Sequence, residues 1–300
     1  MELSQLNYFK VASRHKNFTQ AAEELHMSQP ALSISISKLE KELGTVLLDR
    51  GGSSLQPTAA GRAFLFWCNQ AQISIDSGVR EVRDICGAGG GKVCVAVSEA
   101  VFIKHLARDF LSSHKDASLQ CYMLTNSQMC TAIHEGTIDF VVSRGPLYGS
   151  DIFWSPVCND FLTVLMSTKN PLSNRTKLRF EDLADEYFII GDIKYDVKSF
   201  VYERCYSVGF TPKVRYEGHE ADAASMLLSL EHTVMLAYSS TTYGVRADMV
   251  GIPELVSLPL VDAPSEPIGI GLRPSRYQSS AAQDFYEMVR SFFSSLPNGP

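Results

Sequence analysis

Apolar residues recur at helical spacing through residues 1–86, and short apolar blocks alternating with helical stretches follow. Leu3, Leu6, Phe9 and Val11 predict a first helix over 2–14. Ala21, Ala22 and Leu25 give a second, short helix a small apolar face, with Thr19 expected as its cap. His26, Met27 and Ser28 break that pattern. Leu32, Ile36, Leu39 and Leu43 then predict one buried stripe of a third helix. Ser28 is its expected cap and Pro30 sits in its first turn, where a missing N–H costs nothing. Gly44 ends it.

Val46, Leu47 and Leu48 enter a strand-like run, residues 50–54 turn, and Leu55, Gln56 and Pro57 return. Thr58 is expected to cap a long helix over 59–86, with Leu65, Cys68, Gln72, Ile75, Val79, Val82 and Cys86 near one stripe and Gly78 interrupting it. A helix this long cannot bury such a stripe alone, so pairing with a second copy is expected. Partial packing on its own domain is the simpler alternative. Residues 87–91, GAGGG, form a flexible hinge. Beyond it strands are expected at 92–97, 118–124, 139–142, 153–157, 162–167, 187–191, 214–216, 233–237 and 267–272. Helices are expected at 100–113, 127–135, 194–208, 221–230 and 279–295, with a short one opening at 180–183. That alternation predicts an α/β architecture with a mostly parallel sheet.

The second and third helices fit a helix-turn-helix, in which the start of the later helix meets base edges in the major groove. An ordinary pair of packed helices is the competing reading. Gln29, Ser33, Ser37 and Lys38 lie opposite the apolar stripe, and the hairpin beyond would form a wing with Arg50 at its root and Ser53 and Ser54 at its tip. Charge offers modest support. The chain carries −6 overall, yet residues 1–66 hold seven basic and six acidic side chains. Helix N-termini and backbone amides supply uncharged phosphate contacts.

The run FTQAAEELHMSQPALSISISKLEKELG at 18–44, with LLDR at 47–50 and LQPTAAG at 55–61, resembles the DNA-binding domain of the LysR family of bacterial transcriptional regulators. The resemblance implies a winged helix-turn-helix at 1–58, a linker and dimerisation helix at 59–87 and a hinge at 88–91. It further implies a two-lobed α/β effector domain similar to periplasmic binding proteins at 92–300, with lobe I at 92–162 and 267–300 and lobe II at 163–266. The expected partners are double-stranded promoter DNA with twofold-related half-sites, a small-molecule effector, and the chain itself as a homodimer or homotetramer. Expected DNA contacts are Thr19, Ser28, Gln29, Pro30, Ser33, Ile34, Ser37, Lys38, Arg50 and Ser53. The family usually carries basic or amide side chains at the positions of Ile34 and Ser35, and often a basic one at Ser37. Ile34 would instead suit a thymine methyl.

Ligands of open α/β sheets sit beyond the carboxyl ends of the strands. Ser98, Asn126 and Ser127 follow the first two strands after the hinge, and suit an anionic or phenolic ligand such as an organic or aromatic acid. Simple helix capping is the alternative. Arg144 suits a carboxylate, or else pairs with a protein acid. Thr168 and His219 complete the expected effector contacts on lobe II.

Hydrophobic content of 45% and charged content of 20% are ordinary for a globular chain. No apolar run reaches the roughly 20 residues of a membrane span, and no secretory signal opens the chain, so a cytoplasmic location is expected. Seven scattered cysteines show no metal-ligand spacing, and no metal or cofactor is expected. Because some family members sense oxidants through two cysteines, Cys121 and Cys130 are a candidate redox pair. An enzyme is disfavoured by the lack of GxSxG, HExxH or P-loop motifs. A solute-binding protein with an unrelated N-terminal extension is disfavoured by the missing signal.

Overall fold

A buried stripe on each of three short helices closes the N-terminal core. The computed structural model describes residues 1–51, 54–86, 91–99, 102–191, 195–218, 226–227, 229–240 and 254–296. The chain divides into two units, Met1–Gly89 with Ser275–Tyr277, and Gly90–Pro274 with Gln278–Pro300.

In the first unit α1 (Leu3–Ala12), α2 (Phe18–Glu24) and α3 (Gln29–Leu43) bury Phe9, Ala21, Ala22, Leu32, Ile36 and Leu39 together. Leu3 and Leu43, expected inward, are exposed, because each lies where its helix runs out beyond the packed turns. Thr19 is not the cap of α2. Asn17 fills that role, its side chain accepting from the Gln20 amide at 2.9 Å, while Thr19 lies exposed in the first turn. Ser28 caps α3 by accepting from the Ala31 amide, and Gly44 ends it at a φ of 69°, a left-handed geometry that glycine adopts without strain. The short strands β1 (Leu48–Asp49) and β2 (Gln56–Pro57) pair antiparallel. Thr58 then caps α4 (Ala59–Ile85) by accepting from the Gly61 amide at 2.9 Å. Cys68 and Ile73 of α4 are buried, whereas Ile75, Val79 and Val82 stand exposed.

The second unit is a mixed sheet ordered β4-β3-β5-β11-β6-β9-β7-β8, with β10 also on β6. Its strands are β3 (Lys92–Val97), β4 (Ser118–Met123), β5 (Phe140–Arg144), β6 (Phe153–Ser167), β7 (Tyr187–Gly191), β8 (Lys213–Gly218), β9 (Thr233–Tyr238), β10 (Leu255–Pro259) and β11 (Ser265–Leu272). The helices between them are α5 (Lys104–Ser113), α6 (Asn126–Glu135), α7 (Tyr195–Ser207) and the closing α8 (Ser280–Ser294). Strands β3, β4 and β5 run parallel, as do β7, β8 and β9. The crossing strands β6 and β11 run antiparallel to their neighbours. A single 15-residue β6 replaces the two strands expected at 153–157 and 162–167. The polar Asn159 and Asp160 that broke the apolar pattern lie inside it, because Asp160 finds its partners within the fold. Residues 87–90, most of 221–230, Ser53 and His219 lie outside the described residues.

Strand faces decide the cysteine question. Val93, Val95 and Val97 face a core with Phe110 and Phe285, from α5 and α8. Cys94 and Ala96 face the opposite core with Met129 of α6, where Cys130 also packs. Cys121 pairs in register with Val95, so it belongs to the first face and Cys130 to the second. The sheet separates them, and the candidate redox pair cannot form within the folded unit. Oxidation with diamide followed by peptide mapping should therefore yield no intrachain link between Cys121 and Cys130.

One close approach governs the wing. A Cβ at Gly61 would lie 2.0 Å from the Leu47 carbonyl oxygen, whereas one at Gly78 meets nothing within 4 Å. Gly61→Ala should lower unfolding free energy by about 1–3 kcal/mol through backbone displacement. Gly78→Ala should instead raise it by about 0.5–1 kcal/mol, from helix propensity alone. Chemical denaturation of the two variants measures both.

Candidate nucleic-acid interface and effector site

The outward side of α3 is built by what the inward side buries. With Leu32, Ile36 and Leu39 packed inward, Pro30, Ile34, Ser37 and Lys41 fall within about 60° of one another on the opposite face. All four are exposed, as are Ser28, Gln29 and Lys38, and Ser33 is half-buried at the edge. Of the expected contacts, Pro30, Ile34 and Ser37 share that side with Ser33 and Lys38 at its edges, whereas Gln29, expected opposite the apolar stripe, falls at the angle of that stripe and is accessible because it opens the helix. Thr19 is exposed on α2.

Arg50 is tied to this side by Glu40. Its Nη2 donates to Glu40 Oε2 at 2.8 Å and to Ser37 Oγ at 3.2 Å, and its guanidinium lies 5.2 Å from the centre of the Phe18 ring. The other Glu40 oxygen accepts from the Leu47 and Leu48 amides at 2.9 and 3.1 Å. One carboxylate thus fixes β1 and the Arg50 side chain against α3.

The second unit holds a buried polar cluster at the carboxyl end of β5. Ser98 Oγ accepts from the Arg144 amide at 3.3 Å, and Asn126 Nδ2 donates to the Arg144 carbonyl at 3.1 Å. Ser127 is exposed beside Asn126. Ser98 and Asn126 thus meet at Arg144, which Ser127 does not bond. The cap of α6 is Thr125, which accepts from the Gln128 amide, so Asn126 and Ser127 are not needed as caps. The Arg144 guanidinium donates to Asp160 and, at 2.9 and 3.1 Å, to Glu99. It also lies 3.5 Å from the centre of the Tyr238 ring, a cation–π geometry. Asp160 is fully buried and accepts further bonds from Ser239 Oγ, Ser240 Oγ and the Ser240 amide at 2.6–2.8 Å.

Burial pulls the Arg144 pKa down, but the Glu99 and Asp160 carboxylates more than offset it, leaving a firm cation. Burial pushes the Tyr238 phenol up to about 12 against the opposing pull of Arg144. Burial, with the nearby Asp160 charge, pushes the Cys158 thiol up to about 12. Of the two uses expected for Arg144, the structure shows pairing with protein acids. Its guanidinium is committed to two carboxylates and is not laid open as a clamp for a ligand carboxylate.

Thr168 does not join this cluster. It follows the end of β6, eight residues beyond Asp160, which on an extended strand is roughly 25 Å away. There its amide donates to the Glu254 carbonyl at 2.7 Å. No motif or spacing in the sequence marks Asp160, Glu99, Tyr238, Ser239 or Ser240 as a cluster. The available signal was an aspartate inside an apolar strand, which must be paired when buried.

Residues 3–62 match the family described as "Bacterial regulatory helix-turn-helix protein, lysR family", and residues 87–294 match the "LysR substrate binding domain". The chain belongs to the LysR family. It is a LysR-type DNA-binding transcriptional regulator with a substrate-binding effector domain. The HTH-type transcriptional regulator YybE of Bacillus subtilis is 25% identical over 98% of this chain and 100% of its own. The transcriptional dual regulator GltC of the same organism is 26% identical over 99% of each. Full-length OxyR from Pseudomonas aeruginosa shares the fold at a TM-score of 0.61 and 19% identity, covering 100% of this chain and 96% of that one. Full-length CbnR, solved with its target DNA, does so at 0.52 and 23%, covering 97% and 100%. LysR regulators are not an enzyme family, and among the described residues no helix is long and apolar enough to cross a membrane.

Removing the charge of Asp160 would leave a buried guanidinium underpaired. Asp160→Asn should cost about 3–5 kcal/mol of stability, the penalty for breaking a buried pair at one end. Urea unfolding of the full chain, compared with Asp160→Asn, measures that loss.

Proposed function

We propose that this LysR regulator grips duplex promoter DNA through the outward side of α3 and the adjoining wing. The observation that carries the reading is the joint placement of an exposed, Ser28-capped α3 and an Arg50 side chain held beside it by Glu40. Gln29, Pro30, Ser33, Ile34, Ser37 and Lys38 face bases and nearby backbone, Ser28 and Thr19 lie toward phosphates, and Arg50 with the wing, Ser53 included, follows the sugar-phosphate chain. The N-terminal amides of α3 add uncharged phosphate donors. Residues 1–58 form this module, 59–87 the linker, 88–91 the hinge and 92–300 the effector domain, with lobe I at 92–162 and 267–300 and lobe II at 163–266.

Ile75, Val79 and Val82 recur at four and three residues along α4 and are exposed, which suits pairing with the same helix of a second copy. A homodimer then presents two copies of α3 to twofold-related half-sites, and a homotetramer doubles that arrangement. A small molecule at the carboxyl ends of β3 and β4, against Ser98, Asn126 and Ser127, would favour one arrangement of the regulator over another. His219 is a further expected contact. The protein acts in the cytoplasm without catalytic turnover.

Gel retardation of the DNA flanking its own gene should show a specific complex that weakens steeply as salt rises, since bound phosphates release counterions. No retardation of any genomic fragment at low salt would contradict the proposal.

A further inference from the structure

The outward side of α3 has an unusual chemical character for a DNA reader. From Gln29 through Ser37 it carries no charged side chain, and the first cation along it is Lys38. Guanine is most often read by a guanidinium or ammonium reaching its O6 and N7. The first two turns of α3 hold neither group. They hold an amide, hydroxyls and an apolar centre made by Pro30 and Ile34.

Ile34 is 69% exposed, well clear of the Leu32, Ile36 and Leu39 stripe that fixes the helix. A single exposed apolar residue is ordinary on a protein surface. This one lies on the exposed arc with Pro30, Ser37 and Lys41, opposite the buried stripe, and Ser37 on that arc accepts from the Arg50 guanidinium. In the major groove the one apolar base feature is the C5-methyl group of thymine.

We propose that Ile34 is a specificity-determining residue that packs on the C5-methyl of a thymine in each half-site. The assignment rests on the DNA-binding reading above. It makes sequence discrimination by α3 depend on a methyl contact at that base pair rather than on charge. A β-branched side chain is stiff about χ1, so the contact is made with little loss of side-chain freedom.

The test uses the full-length chain and a duplex that it selects from a randomised library. Each thymine of the bound site is replaced in turn by deoxyuridine, which removes the methyl and leaves pairing intact. Affinity should fall about fourfold at one thymine per half-site, the effect of withdrawing one buried methyl. Ile34→Ala should bind the thymine and deoxyuridine duplexes equally at that position. No loss at any thymine with the unaltered chain overturns the assignment, and that scan needs no variant. An equal loss in Ile34→Ala overturns it too, by passing the contact to another residue such as Pro30. Selection of no duplex at all would overturn the DNA-binding reading together with this one, and is distinct from tight binding that ignores the methyl.

Discussion

One carboxylate on α3 sets the geometry of the N-terminal unit. Glu40 accepts from the amides of Leu47 and Leu48, both of which are buried residues, and from the Arg50 guanidinium. Buried amides left unpaired cost about 1–3 kcal/mol each, so the turn after α3 has little freedom to go elsewhere. The chain then returns through Thr58, whose hydroxyl donates to the Val46 carbonyl while its amide donates to that of Leu47. Gly61 lets α4 pass against the same carbonyl. α3, β1 and the start of α4 thus share one small hydrogen-bonded junction, and α3 is held with its outer side open.

The second unit uses a buried carboxylate differently. Asp160 lies on the long crossing strand β6 and gathers Arg144 from the end of β5 and Ser239 and Ser240 from beyond β9. Its bonds join the end of β5 to the segment beyond β9 across β6. The arrangement suits a regulator whose ligand must bias a discrete equilibrium, because a buried, fully satisfied polar network tolerates few intermediate geometries. Glu99 and Asp160 both pair with Arg144, so its charge is matched within the protein.

Much of this was legible in the residues themselves. Ser28, Pro30 and Gly44 mark the ends of α3, and the strand and helix order from β3 onward follows from period and turn chemistry. The errors have local causes. Thr19 and Asn17 are both competent caps, and only backbone geometry shows that Asn17 lies at the boundary. The local pattern divides β6 into two pieces because satisfaction of Asp160 comes from residues some eighty positions away, which no local pattern displays. Arg144 could pair inward or outward, and the choice depended on Glu99 and Asp160 meeting it in space.

The central claim is that Glu40 holds the wing and Arg50 in place for DNA binding by α3. Comparing the full-length chain with Glu40→Gln on the same promoter duplex at fixed salt tests it most directly. The account predicts at least a tenfold loss of affinity, on the order of 1.4 kcal/mol, together with faster amide exchange at Leu47 and Leu48. Undiminished affinity alongside that faster exchange would contradict it.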